Sequence, residues 1–418
     1  MKIFSWENLF LISILFLPFS FGLNPTSSID LSLVRVVFPL IFILWFFTAI
    51  SNKKLLLDKK LSFWSLLCFL FICFISIFWS VDFFVAFKKN LFLLSFLPVY
   101  FLSFAITQKP ILRTKLLKML VLSAFMTSVY AFLIFSLQFI IGLDRALAFA
   151  SKSAVFFLGE NFSTMVLAFP SWMVNINGAT ILRTFGPFPD PHLFAIFINL
   201  TLPFFLYLWF KTGKKYYLLG FLFCFLMSLL SFSRASYLAL FSSSLFFIFF
   251  ISHPTPLLKK YFGILLFLMF FIFLCLVIPN PLTTRLFSSF DIGEGSNSGR
   301  IEMWTLAMKT IEEKPLYGVG LGSFTKYNFP MENERNPIYA HNLFLDFASE
   351  IGIFGTSFLI LSLFLIMLGS SQKNSPFLKQ AVATSVFIFI IHSLFETPLF
   401  SIRVLPLFFL IMGLSTDD

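Results

Sequence analysis

Residues 296–324 read SNSGRIEMWTLAMKTIEEKPLYGVGLGSF, and residues 340–355 read AHNLFLDFASEIGIFG. The first block opens in a polar loop at Gly299-Arg300. It continues into an amphipathic helix, predicted from Ile301, Trp304, Met308 and Ile311 at helical spacing. Pro315 stops that helix, and Gly318, Gly320 and Gly322 turn the chain. Ala340-His341-Asn342 then leads into a long apolar helix. Nearly everything outside this block is suited to hydrocarbon, so the chain reads as a membrane protein that keeps one polar surface.

Composition gives the same class. Of 418 residues, 59% are hydrophobic and 12% charged, and mean hydropathy is +0.93. A soluble domain is excluded. The 67 phenylalanines carry no functional reading. A net charge of +11 would suggest nucleic acid in a soluble protein. Here the charge lies between apolar segments, where it orients helices, and no nucleic-acid partner is expected. Cys68, Cys73, Cys224 and Cys275 all fall inside apolar runs, which gives no disulfide framework. His192, His253, His341 and His392 are scattered without ligand spacing, so neither a metal nor a cofactor is expected.

Membrane helices need roughly 17–25 apolar residues. Twelve such spans are expected, near 8–23, 33–50, 61–79, 91–106, 119–142, 192–210, 216–232, 237–252, 262–279, 342–369, 380–395 and 399–415. The fold class is therefore an all-α polytopic bundle, a single integral domain over 1–418 without tandem repeats. Lysines and arginines follow the even-numbered spans: Lys53, Lys54, Lys59 and Lys60, then Lys109, Arg113, Lys115 and Lys118, then Lys211, Lys214 and Lys215. Lys259 and Lys260 and then Lys373 and Lys379 continue the series, and Lys88-Lys89 interrupts it. The charge rule places these connections and both termini in the cytoplasm. The long loops at 143–191 and 280–341 then face the other side. Lys2 before a short apolar run resembles a signal peptide, but Ser20-Phe21-Gly22 is a poor cleavage site and retention is expected. The mostly apolar first loop is expected to lie on the membrane surface as short helices.

Three residue types stand out for chemistry. Arg234 sits in Ser233-Arg234-Ala235-Ser236 between two closely spaced spans. An arginine near hydrocarbon costs roughly 2.5–3.5 kcal/mol on insertion scales, so it needs a polar cavity or a partner; the plainer alternative is a snorkelling turn residue. Arg300 opens a helix, whose free N–H groups attract anions. Arg234 and Arg300, with Arg183 as a weaker third, are candidates to clamp a pyrophosphate bidentately. A histidine at a helix start is more often a cap or core residue, yet His341 titrates near neutrality and is the natural general base. Asn342 either orients a substrate or caps the helix. On helical spacing Glu350 lies too far from His341 for contact, and Asp346 points away, so neither forms a dyad with it. The GVGLG series lacks a preceding strand and a following GK[ST], which leaves a packed turn rather than a nucleotide loop.

Together, Gly299-Arg300, Trp304, Pro315-x-x-Gly318-x-Gly320-x-Gly322-x-Phe324, Ala340-His341-Asn342 and Glu350-x-Gly352-x-x-Gly355 resemble the signature of the O-antigen ligase and polymerase superfamily. The serine-flanked Arg234 is similar to that family's membrane arginine. The resemblance implies a metal-independent, inverting glycosyltransferase of the membrane-embedded GT-C class in the bacterial inner membrane. Its donor would be a glycan on undecaprenyl diphosphate, used at the periplasmic face. Carried over, Arg234 and Arg300 hold the lipid diphosphate, and His341 deprotonates or positions the acceptor hydroxyl. Lipid A–core is the leading acceptor, which makes the chain a ligase in lipopolysaccharide biosynthesis. A polymerase extending the growing glycan on its carrier is the alternative. A solute transporter is a third reading, weakened because no charged pair recurs at corresponding positions of two repeats.

Overall fold

The computed structural model describes residues 5–26, 29–55, 57–168, 171–176, 178–250, 295–330, 339–370 and 377–414. The centre of the bundle is α8 (Pro191–Thr212), whose apolar window is 94% buried. A helix that is hydrophobic all round belongs inside, and α8 is enclosed by α5 (Pro110–Ile141), α9 (Lys215–Leu229), α10 (Arg234–Phe250) and α14 (Phe377–Ser393). On α9, Gly220 leaves room for the Phe205 ring of α8. Three buried polar residues of this core, Asn199, Ser228 and Ser236, satisfy one another. Asn199 of α8 donates to Ser236 Oγ of α10 at 2.7 Å and accepts from Ser228 Oγ of α9 at 2.6 Å. Outside that group, α3 (Leu61–Ile75) packs on α13 (Leu343–Ser370), and α4 (Phe83–Thr107) packs on α15 (Val404–Gly413).

The chain is an all-α polytopic membrane protein with two small hairpins. Among the described residues, six helices are long and apolar enough to cross a membrane: α2 (Val34–Ser51), α3 extended to Trp79, α4, α5, α8 and α13. Four further apolar helices, α1 (Trp6–Leu15), α9, α14 and α15, are shorter, with 10–17 residues. The expected span at 237–252 corresponds to α10, and the one at 262–279 lies outside the described residues. Boundaries moved where breakers act. The first span ends at Leu15, because Leu17–Phe19 tightens into a 3-10 turn and Gly22–Thr26 pairs with Ile29–Ser32 as hairpin β1–β2. That first segment belongs to the core: Phe10, Ile14 and Leu17 are fully buried, and Arg403 donates to the carbonyls of Pro18 and Ser20.

Arg113, Lys115 and Lys118, expected in a connection, lie on the opening turns of α5, which starts at Pro110. The Lys88-Lys89 interruption also has a structural reason: Lys89 forms an internal ion pair with Glu350 at 2.8 Å. It is therefore no guide to orientation. The first loop contains the expected short helices, α6 (Leu143–Leu158) and α7 (Glu160–Ala168), followed by an unforeseen hairpin of β3 (Met173–Ile176) and β4 (Ala179–Leu182).

In the deciding block, α11 (Gly295–Glu313) begins earlier than its motif and ends before Pro315. Its buried face matches the spacing only in part, through Ile311 and the partly buried Trp304. Met303, Ala307 and Ile311 are buried, whereas Ile301 and Met308 are 42% and 48% exposed. The glycine turn that follows leads into the short helix α12 (Phe324–Asn328) and docks on a break in α13. Gly352 has φ +78°, and a Cβ there would fall 2.0 Å from Leu316 O. A Cβ on Gly318, at φ +63°, would fall 2.5 Å from the Glu350 carbonyl. Val319 and Gly320 N–H groups donate to Ser349 O and Glu350 O across this contact. These glycines are thus packing devices, as the missing nucleotide-loop context implied.

The charge pattern yields a test of sidedness. Gly299 is exposed, with nothing within 4 Å of an added side chain, and Lys214 is exposed at the α8–α9 connection. In a background without native cysteines, a membrane-impermeant thiol reagent added outside is expected to label Gly299→Cys and spare Lys214→Cys. The reverse labelling pattern would invert the orientation.

Candidate active site

Glu396 organises the site. It lies in the connection after α14, and its carboxylate oxygens face two different elements. Oε1 accepts from Arg300 Nη2 at 2.8 Å, and Oε2 lies 3.3 Å from His341 Nδ1. His192 Nδ1, at the start of α8, is 3.8 Å from Oε1 and 2.8 Å from Ser233 Oγ. One carboxylate therefore joins α11, the entry to α13, and the α8–α10 corner. Trp304 of α11 also approaches Phe395, their ring centroids 6.2 Å apart.

Each partner arrives by a local rule. Asn342 Oδ1 accepts from the N–H groups of Phe344 and Leu345 at 3.0 and 3.1 Å, so Asn342 is the N-cap of α13. Of the two roles open to it in the sequence, capping is the one the geometry carries. His341 precedes the cap with φ +54°, a left-handed conformation that is strained for a residue with a side chain. About half of its side chain is exposed. Strain of this kind persists only where the surroundings over-determine it, and it clusters at functional sites. Arg300 sits beyond the first turn of α11, because the helix starts at Gly295. The free N–H groups of a helix start are therefore not beside it. Its own guanidinium, 16% exposed, is what it offers.

Arg234 is the first residue of α10 and is buried; it follows Ser233 and the left-handed Phe232 at φ +50°. Arg183 meets the same corner from the first loop. Its Nε donates to Ser231 O at 2.7 Å and its Nη1 to Ser171 O at 3.0 Å, while Thr184 Oγ1 donates to Met227 O. The visible work of Arg183 is to fasten the first loop onto the Arg234 turn. Asp190 caps α8 through Leu193 N–H at 2.8 Å. Burial, with Glu396 nearby, pushes the Asp190 carboxyl up to about 6.

The electrostatics favour an ionised Glu396 beside a basic histidine. Burial disfavours the Glu396 carboxylate, but His192, the His341 hydrogen bond and Arg300 overcome it and hold Glu396 well below the usual carboxylate range. The hydrogen bond to Glu396 raises His341 above its ordinary value, with burial and Arg300 opposing. A carboxylate only accepts, so Nδ1 of His341 carries the proton and Nε2 is left as the basic nitrogen. His392 is fully buried on α14, one turn before Glu396. Among the described residues, no group of three or more His, Cys, Asp or Glu has the geometry to hold a metal ion.

Glu396, His192 and Asp190 were not among the residues singled out from the sequence. A signal for Glu396 exists: it is the sole acidic residue between Phe377 and Leu414, and an isolated carboxylate among membrane helices is a functional candidate by default.

The multipass helical bundle thus carries an arginine–carboxylate–histidine cluster at one end of its helices. The O-antigen ligase family model matches residues 219–360, a stretch running from α9 into α13 that holds Arg234, Arg300 and His341. The match supports the O-antigen ligase and polymerase superfamily to which the motifs bear resemblance, and with it a glycosyltransferase-like activity in a bacterial membrane. Glu396, His192 and Arg183 fall outside the matched residues. No curated protein matches the chain.

Proposed function

We propose that this chain is an O-antigen ligase of the inner membrane, moving a glycan from undecaprenyl diphosphate onto lipid A–core at the periplasmic face. The observation that carries the reading is the continuous contact from Arg300 through Glu396 to His341, joining a diphosphate-binding group to a base. Arg300 and Arg234 hold the lipid diphosphate, and Arg183 keeps the Arg234 turn in place. His341 Nε2 takes the proton of the acceptor hydroxyl. The acceptor oxygen attacks the anomeric carbon of the donor sugar, and the bond from that carbon to the diphosphate oxygen breaks. The electron pair leaves with undecaprenyl diphosphate, and attack opposite the leaving group inverts the anomeric centre. Guanidinium charge stabilises the departing diphosphate, because fixed charge counts for most where water is excluded.

The test is transfer by the purified protein from lipid-linked glycan to lipid A–core. Activity is expected, and is expected to survive EDTA, since arginine charge and one base supply the chemistry. Loss of turnover with chelator, restored by a divalent cation, would reject the arginine account. Elongation of lipid-linked glycan without transfer to core would identify the polymerase instead.

A further inference from the structure

Asp346 is 1% exposed and lies one turn into α13. Its side chain points back across the helix start. Oδ1 accepts the backbone N–H of Ala340 at 2.6 Å, and Oδ2 accepts the Thr397 hydroxyl. Ala340 immediately precedes His341, and Thr397 immediately follows Glu396. One carboxylate therefore ties together the two chain segments, 55 residues apart, that carry the histidine and the glutamate. On their other side the same segments are joined again. The Tyr339 and Phe400 rings stack at 5.4 Å with 3° between their planes, and Lys89 Nζ lies 4.2 Å from the Phe400 centroid. Lys89 is in turn held by both carboxylate oxygens of Glu350 at 2.8 and 2.9 Å. The left-handed His341 backbone is thus fixed from three directions: its own cap, the Asp346 bridge and the Tyr339–Phe400 layer.

We propose that Asp346 is a positioning residue for transfer, holding His341 and Glu396 at hydrogen-bond distance by bridging Ala340 N–H and the Thr397 hydroxyl. The inference rests on His341 being the base and adds the device that aims it. The hydrogen bonds of Asp346 go to Ala340 and Thr397 rather than to the histidine ring or Glu396, so it places both segments, and its charge reaches His341 only at a distance. Misplacing a reacting group by about 1 Å costs on the order of 10² in rate, which sets the size of the effect expected when the bridge is cut.

The test uses full-length protein in membranes or detergent, with donor affinity, turnover, melting temperature and the pH profile of turnover as readouts. Asp346→Ala is expected to lower turnover about 10²-fold with donor affinity retained. Asp346→Asn is expected to recover most of that rate. Its amide oxygen accepts from Ala340 N–H and its amide N–H reaches the Thr397 oxygen, so both contacts survive without the charge. Thr397→Val is expected to lower turnover roughly 10-fold, with Thr397→Ser near wild type, because only the hydroxyl is used.

The groups facing His341 are Glu396, Arg300 and Asp346, with Glu396 the hydrogen-bonded partner. A loosened His341–Glu396 contact lets the midpoint of the pH–rate profile fall toward the ordinary histidine value of about 6.5. The Thr397→Val profile reports this without any change in charge. Folded Asp346→Ala or Thr397→Val protein with wild-type turnover and midpoint would overturn the proposal. An Asp346→Asn variant as impaired as Asp346→Ala would replace positioning with a charge role. Should Asp346→Ala fail to fold, the Thr397→Val and Thr397→Ser pair decides alone. The base assignment fails separately, if His341→Ala protein still transfers glycan.

Discussion

His341→Ala is expected to lower glycan transfer by about 10²–10⁴ while leaving lipid-diphosphate binding near wild type, because general-base loss acts on turnover. The arginines that would bind the diphosphate lie on other elements, α10 and α11. The geometry supplies a control for fold damage. His341 stands at φ +54°, where a side chain costs roughly 1–2 kcal/mol and glycine costs nothing comparable. His341→Gly therefore relieves backbone strain as it deletes the imidazole. It is expected to melt no lower than His341→Ala and to be as inactive. A histidine that served only to enter the helix would behave the other way, with active protein at lowered melting temperature. Folded His341→Ala enzyme with near-normal transfer would end the assignment.

The pH dependence follows in sign from the same contact. A base works unprotonated, so turnover falls as pH drops through the His341 value. That value lies above the ordinary one because His341 hydrogen-bonds to Glu396. Half-maximal turnover is thus expected above about pH 6.5. In Glu396→Gln the midpoint is expected to move down.

Much of the bundle was readable because a bilayer demands about 20 apolar residues per crossing. Every expected span that falls on described residues overlaps an apolar helix, and α10 covers the described part of the 237–252 span. What misled was the direction of the helix faces. The spacing turned Ile301 and Met308 of α11 inward, but the structure buries Met303 and Ala307 and leaves those two exposed. Charge counting failed at Lys89 as well, since a lysine paired inside the protein says nothing about the side of the membrane. The site was legible only where its chemistry is local. Arg234, Arg300 and His341 stand in short motifs with peculiar surroundings. The link between Arg300 and His341 passes through Glu396, 55 residues from His341 and 96 from Arg300, and no periodicity encodes such a pairing. Asp346 was set aside because helical spacing turns it from the His341 side chain. It reaches the backbone before His341 instead, a contact that spacing along one helix does not describe.

The Arg300–Glu396 pair raises a question that single substitutions confuse, since Arg300 is both the proposed diphosphate ligand and the partner of a part-buried carboxylate. Deleting one member of a fully buried pair costs about 3–5 kcal/mol by leaving the other charge uncompensated, and a part-buried pair loses less. Arg300→Ala is therefore expected to lose stability as well as donor affinity. Glu396→Gln removes that carboxylate charge at constant size, and the double variant separates the two effects. In the Glu396→Gln background, Arg300→Ala should lose little further stability, because no carboxylate charge is abandoned. Its donor affinity should still fall by about 10- to 100-fold, the value of one charge-assisted contact worth roughly 1.5–3 kcal/mol. Arg300→Lys should restore only part of that affinity, since an ammonium lacks the guanidinium fork. Arg234→Ala should weaken donor binding to a similar extent, and Glu396→Gln alone should lower turnover by about 10²–10⁴ through the lost orientation of His341. Donor affinity unchanged by Arg300→Ala in the Glu396→Gln background would mean that Arg300 serves the carboxylate and not the diphosphate. The clamp would then have to be built around Arg234 without it.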